Sequence, residues 1–346
     1  MKISSGLLTA MLPLALVVGS VESYATDAVG LQVRELAVPG RDNPISVKFW
    51  YPARSDGDLR RVGENKVFEG VAARQDASIA EGQFPLVLLS HGGLRAAPHM
   101  SNWIAADLAS RGFLVAVPQP PRLEYSDAGV AVQEIWRRPS DLRATLTVLE
   151  RDAALGPHLD PNNVGVVGFF LGATSALALA GARLDPASYK QSCDKPGLAM
   201  DCAWFEKNAV DLSLTDNHDL ARSHKDARVK VAVAVDPELS HAFTEASLAE
   251  ITIPVGILNL GQPGGITPEL DASGLAVRIS ASHYQTVADA TPFSAFSLCK
   301  NGGAEILQDL GEDGSICREE GKRSGAAIHA HLTDLIEAAL MNSAGK

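Results

Sequence analysis

The sequence predicts an α/β fold with a mostly parallel sheet, helices on both faces and an inserted cap-like segment. Three observations predict it. Largely apolar runs stand at 85–90, 113–117, 164–167, 229–235 and 253–260, and a run without regular polar alternation is what a strand buried on both faces requires. Segments with helical spacing separate these runs, and buried strands alternating with helices imply parallel crossovers. Residues 183–226 break the alternation with two cysteines, Trp204 and many charges, which reads as an insertion over the carboxyl edge of the sheet.

Leu31–Pro39 and Ile45–Trp50 alternate apolar and polar residues around Pro39-Gly40-Arg41-Asp42-Asn43, the pattern of an antiparallel hairpin. Residues 53–83 are charged and polar and read as connection. Pro85–Ser90 reads as a buried strand, Asn102–Ser110 as an amphipathic helix stopped at Arg111-Gly112, and Phe113–Val117 as a second strand. Together they form a βαβ unit. Ser140–Leu149 has helical spacing with Asp141 in its first turn, where an acid complements the helix dipole. Val164–Val167 is a strand running into a helix over Leu171–Gly181. Val229–Val235 and Ile253–Leu260 follow as strands, Ala276–Ile279 and Tyr284–Val287 as weaker ones, and Ile328–Met341 as a closing helix. One domain over 26–346 is expected.

With 46% hydrophobic residues, 30 Gly and 19 Pro against 21% charged, the chain can bury a full core and needs many tight turns. That composition excludes disorder, a coiled coil and a helical array. The formal net charge of −11 argues against nucleic acid or anionic lipid as a partner, and favours a cationic or neutral ligand over an anionic one.

Residues 1–25 read as a signal peptide: Lys2, an apolar run over 7–18, then Ser23-Tyr24-Ala25 as a cleavage site. Pro13 interrupts the run, which falls short of the roughly 20 residues a membrane span needs. A periplasmic or secreted protein without a stable membrane anchor is expected. Cys193, Cys202, Cys299 and Cys317 all follow the leader, and an oxidising compartment favours disulfides. Four cysteines allow three connectivities; locality favours Cys193 with Cys202 and Cys299 with Cys317. Neither pair has zinc-ligand spacing, so no metal and no cofactor are expected.

The chemistry should lie in Val164-Gly165-Val166-Val167-Gly168-Phe169-Phe170-Leu171-Gly172-Ala173. A buried strand meets a helix there between two glycines, the setting of a nucleophile elbow, G-x-S-x-G. The serine place holds Phe170. Ser90-His91-Gly92-Gly93 ends an earlier strand, so backbone N–H groups of Gly92 or Gly93, with that of Leu171, are the expected oxyanion-type donors.

These pieces, with Phe49-Trp50-Tyr51-Pro52, Leu108 to Phe113, Arg138 to Arg143, Ala180 to Leu184 and Val233-Ala234-Val235-Asp236-Pro237, resemble the secreted α/β hydrolases related to dienelactone hydrolases and platelet-activating factor acetylhydrolases. The resemblance implies an α/β-hydrolase fold and ester hydrolysis by a Ser, His and Asp triad without metal. Carried over residue by residue, it puts Phe170 in the nucleophile seat and Pro292 in the histidine seat, within Asp289 to Phe296. Of the triad it leaves Asp236 alone.

Phenylalanine carries no nucleophile and proline cannot relay a proton, so no acyl-enzyme cycle can run on these residues. Substitutes are weak. Ser175 lies inside a helix, His283 precedes a strand, His329 and His331 point to different helix faces, and His218, His224 and His241 are scattered; His91 reads as a strut for its turn. The expected function is an exported relative of the carboxylic-ester hydrolases that lacks serine-esterase activity. It would bind a small molecule in the ester cleft or an exported protein partner. The alternative is an active ester hydrolase with relocated catalytic residues.

Overall fold

The computed structural model describes residues 28–341 except 96, 122, 124–126, 195–200 and 319–320. The expected signal peptide lies outside the described residues. One sheet of ten strands organises the rest, in the order β10-β9-β8-β7-β5-β6-β2-β1-β4-β3. In chain order these are β1 (Val29–Leu36), β2 (Ile45–Pro52), β3 (Asp58–Val62), β4 (Val71–Gln75), β5 (Phe84–Ser90), β6 (Leu114–Gln119), β7 (Leu159–Phe169), β8 (Val231–Val235), β9 (Val255–Leu260) and β10 (Ser282–Val287). From β10 through β6 every neighbour is parallel. The β1–β2 hairpin then joins antiparallel to β6. This is the mostly parallel α/β-hydrolase-like architecture that the sequence predicts.

The helices are α1 (Asn102–Ser110), α2 (Ala128–Ala131), α3 (Glu134–Leu149), α4 (Leu171–Ala180), α5 (Pro186–Lys190), α6 (Cys202–Lys207), α7 (Asn217–Ala221), α8 (Glu245–Ala249), α9 (Ser273–Arg278), α10 (Gly303–Asp309) and α11 (Gly325–Met341). Side chains alternate across a strand, so each central strand serves two cores. Leu86 and Leu88 of β5 join Leu142, Leu146 and Leu177 on the α3–α4 face. Val87 and Leu89 join Ile104, Leu108, Leu332 and Ile336 on the α1–α11 face. Both faces are buried, hence the unbroken apolar run. No helix among the described residues is long and apolar enough to cross a membrane.

Three expectations need correction. Residues 53–83 contain β3 and β4, where β4 pairs in parallel with β1 and β3 closes the edge; β3 is mostly exposed, with the sequence DLRRV, so an edge strand passes for a polar linker. Ala276–Ile279 falls largely within α9, whose buried residue is Leu275. The helix expected from Ser140 begins at Glu134 and continues through Pro139, so Asp141 lies well inside it. Among the described residues, 183–226 contribute α5, α6 and α7 and no strand of the sheet. Both local disulfides form, Cys193–Cys202 and Cys299–Cys317.

Arg41, from the β1–β2 turn, binds both acids that flank Pro139 on α3. Its Nη2 donates to Glu134 Oε2 (2.7 Å) and Asp141 Oδ2 (2.5 Å), and its Nη1 also pairs with Glu134. All three side chains are buried. Burial disfavours the arginine's charge, but the two carboxylates hold it protonated. Removing the guanidinium strands two buried acids, so Arg41→Met should lower the unfolding free energy in urea by about 3 to 5 kcal/mol, the cost of breaking a buried pair on one side.

Candidate functional site

Phe170 stands between the end of β7 and the start of α4, with φ 58° and ψ −124°. A non-glycine residue in such backbone costs about 1 to 3 kcal/mol. Close packing forces the turn. A Cβ added at Gly168 would lie 2.1 Å from the Gly172 carbonyl oxygen, and one at Gly172 would lie 2.1 Å from the Ser90 carbonyl oxygen. The Phe170 N–H donates to Val235 O (3.0 Å), and its carbonyl accepts from Ala173 (2.9 Å) and Thr174 (3.2 Å). Its ring is 5% exposed, edge-on to His91 at 6.0 Å and 5.7 Å from Phe296 between centroids.

Asp236 follows β8 and is fully buried. Its Oδ1 accepts from Asn259 Nδ2 and from the Leu260 N–H, both at 2.8 Å. Its Oδ2 is buried without a partner. Burial pushes the carboxyl up to about 7, against the pull of those two donors. In a Ser, His and Asp relay the acid accepts an imidazole N–H; among the described residues no imidazole bonds to Asp236. Pro292 opens a 3₁₀ turn over Pro292–Ala295 behind Thr291, a place where its missing N–H is not needed. That turn is pinned by Ala295 O, which accepts from His91 Nε2 (2.8 Å) and Trp103 Nε1 (2.9 Å). His91 is therefore a strut, and its burial lowers its pKa to about 4.

Of the expected backbone donors, that of Gly92 is engaged within the chain. The Gly92 N–H donates to Phe169 O (3.1 Å), which removes it from the set of donors predicted for an oxyanion. Arg138, buried on α3, donates from Nη1 to Gly92 O and from Nη2 to Gly93 O, both at 2.8 Å. The Leu171 N–H faces the carboxyl of Glu238, and the Leu94 N–H faces that of Asp201. Burial raises both carboxyls, while Arg138 beside them holds them down. Glu238 and Asp201 escape sequence reasoning because they meet these donors only through the fold; a glutamate two residues beyond Asp236 was the sole signal.

The remaining candidates lie apart, and apart from His241 they have structural partners. Ser175 Oγ donates back to Leu171 O (3.1 Å) inside α4. His329 stacks on Trp103 with centroids 3.7 Å apart, and its Nε2 meets Ser294 O and Phe296 O. His331 pairs with Arg323, His283 with Gln285, and His224 with Ser140. His241 has neither ring nitrogen bonded. Asp216, His218 and Asp219 bring ligand atoms within 4.8 Å of one another, the first two exposed and Asp219 half-buried, a grouping that histidine spacing did not reveal. Asp216 caps α7 there by accepting from the Asp219 N–H.

Open volume lies away from the elbow. A groove of about 840 Å³ is lined by Trp136, Arg137, Asn208, Asp211 and Arg222 among others, one of about 510 Å³ runs along the Cys299–Cys317 disulfide, and one of about 450 Å³ follows the β1–β2 turn. None of the three is lined by Phe170, Gly92, Gly93 or Asp236. The ring of Phe170 packs with those of His91 and Phe296.

No family model and no curated protein matches the chain. Among solved structures it is similar to a ferulic acid esterase from Streptomyces cinnamoneus, with 18% identity and a TM-score of 0.56 over 93% of this chain and 91% of that one. It also aligns with a Klebsiella pneumoniae subsp. pneumoniae protein assigned as a dienelactone hydrolase, with 13% identity and a TM-score of 0.47 over 90% and 98% of the two chains. The likeness to the first is one of fold.

A buried acid with a raised pKa favours folding while it holds its proton. Its contribution is complete below the unfolded pKa near 4 and is lost as pH rises through about 7. Asp236→Asn keeps the acceptor for Asn259 and Leu260 without the charge. Its stability should match the unaltered protein at pH 4, exceed it increasingly toward pH 7, and level off by pH 8 at a gain of about 2 to 4 kcal/mol, read from urea midpoints across that range.

Proposed function

We propose that this is an exported α/β-hydrolase-fold protein of the periplasm or the extracellular space, silent as a serine esterase, that acts by binding a small molecule or a protein partner. The observation that carries the reading is Phe170, held in the backbone pose that presents a nucleophile, with a buried phenyl ring where a hydroxyl would stand. An acyl-enzyme cycle needs an oxygen or sulfur nucleophile there and a base to take its proton. Phe170 offers neither, Pro292 cannot act as base, and among the described residues Asp236 Oδ2 has no imidazole to orient. Two disulfides support the export half of the proposal, since such bonds persist in oxidising compartments. A small-molecule ligand would take one of the grooves away from the elbow.

Purified protein should hydrolyse short p-nitrophenyl esters no faster than buffer and should not be labelled by a fluorophosphonate. Phe170→Ser alone should remain nearly inert, because an unassisted serine hydroxyl is a poor nucleophile at neutral pH. Strong hydrolysis that resists fluorophosphonate and survives Asp236→Asn would show instead that catalysis uses other residues.

A further inference from the structure

We propose that Lys48 is a carbonyl-capture residue, whose amine takes a small aldehyde from the groove beside the β1–β2 turn and holds it as an imine. Side chains alternate along a strand, so Lys48 shares the face of β2 on which Trp50 joins the α1–α11 core. It is half-buried there. Among the described residues its amine meets two neutral oxygens and no carboxylate: Nζ donates to Asn102 Oδ1 (3.0 Å) and to Pro98 O (3.3 Å). Glu64, which follows β3, is turned elsewhere, 3.0 Å from Lys300 and 3.7 Å from Arg61. An ammonium group that loses water without gaining a counter-charge gives up its proton more readily, and burial brings this one down to about 8.

The groups beside the amine are incomplete. Asn102 is 2% exposed; its Oδ1 accepts from Lys48, while its Nδ2 is buried without a partner. His99 Nε2 is buried and unpartnered as well, and the His99 carbonyl is fixed by Ser297 Oγ at 3.0 Å. Buried polar nitrogens are rarely left so. On the β3 side backbone closes the cluster, since a Cβ at Gly63 would lie 2.5 Å from Asn102 Nδ2 and 3.0 Å from His99 Cβ. The groove of about 450 Å³ lies on the other approach, with Pro98 and Ser46 in its wall; Pro98 accepts from the amine, and Ser46 precedes Lys48 by two residues on the same face of β2. A desolvated lysine amine is a nucleophile toward carbonyl carbon. Its lone pair bonds to the aldehyde carbon, and the carbonyl oxygen takes up a proton from the amine. Loss of that hydroxyl with the second amine proton releases one water and leaves the imine. Asn102 Nδ2 offers an N–H to the oxygen while it carries charge, and His99 offers an unprotonated ring nitrogen, since burial lowers its pKa. Water reverses the reaction, so the aldehyde is bound and not consumed.

This inference deepens the binding half of the reading above, and the two fail separately: ester turnover bears on the esterase reading alone, and lysine labelling on Lys48 alone. The test treats the unaltered full chain at pH 7 with propionaldehyde and sodium cyanoborohydride, which delivers hydride to the imine carbon and fixes the adduct as a secondary amine. Peptide mass mapping follows each lysine. Lys48 should be labelled about tenfold faster than the exposed Lys66, Lys225 and Lys322, because more of its amine is unprotonated at that pH. Its rate should saturate with aldehyde concentration while theirs rise linearly, and its advantage should vanish in guanidinium chloride. Labelling of Lys48 no faster than the exposed three, a rate that rises linearly, or a preference that persists in the unfolded chain would overturn the proposal.

Discussion

The contact of Gly168 with Gly172, and of Gly172 with the end of β5, is the constraint on which the centre of this molecule depends. It leaves no space for a Cβ at either glycine, and it turns the chain from β7 into α4 within one residue. Four elements are tied at this turn. The Phe170 N–H holds the end of β8, its carbonyl begins α4 and accepts the Glu238 N–H, and Gly92 after β5 donates to Phe169. The positive φ at Phe170 costs about 1 to 3 kcal/mol. Burying a phenyl ring offsets it, since losing a buried Phe side chain typically costs 3 to 5 kcal/mol.

In a working esterase the same turn lifts a hydroxyl into a cleft that substrate and water can enter. Here aromatic side chains pack around the turn. Phe170, Phe169, His91, Phe296 and Trp103 form a continuous aromatic cluster, and Ala295 O ties its His91 and Trp103 members to the turn that Pro292 opens. On the other side, Arg138 binds the carbonyls of the Gly92-Gly93 loop while Glu238 and Asp201 face the N–H groups of Leu171 and Leu94. Buried charge is tolerated only when paired or neutralised. A single substitution within this set of side chains would therefore leave others in it unpaired.

Most of the central sheet was legible because full burial leaves a simple trace. The apolar runs of β5, β7, β8 and β9 cannot be placed elsewhere, and the two glycines of the elbow mark a backbone contact. Legibility failed where tertiary context decides. The edge strand β3 and its neighbour β4 carry polar side chains because one side meets water, and α3 passes through Pro139 while Arg41 of the β1–β2 turn binds an acid on either side of it. At the site, Phe170 and Asp236 could be read from their places after buried strands. Glu238 and Asp201 could not, because their partners are separated from them by dozens of residues and meet only in the folded chain.

The central claim is that the elbow cleft is occupied by the protein itself, and a crystal structure after soaking with a short-chain ester tests it most directly. The account predicts Phe170 and Glu238 unmoved, with no ester density against the Leu171 N–H. An ester bound to that N–H, with the Glu238 carboxyl swung out and the Phe170 ring displaced, would contradict it.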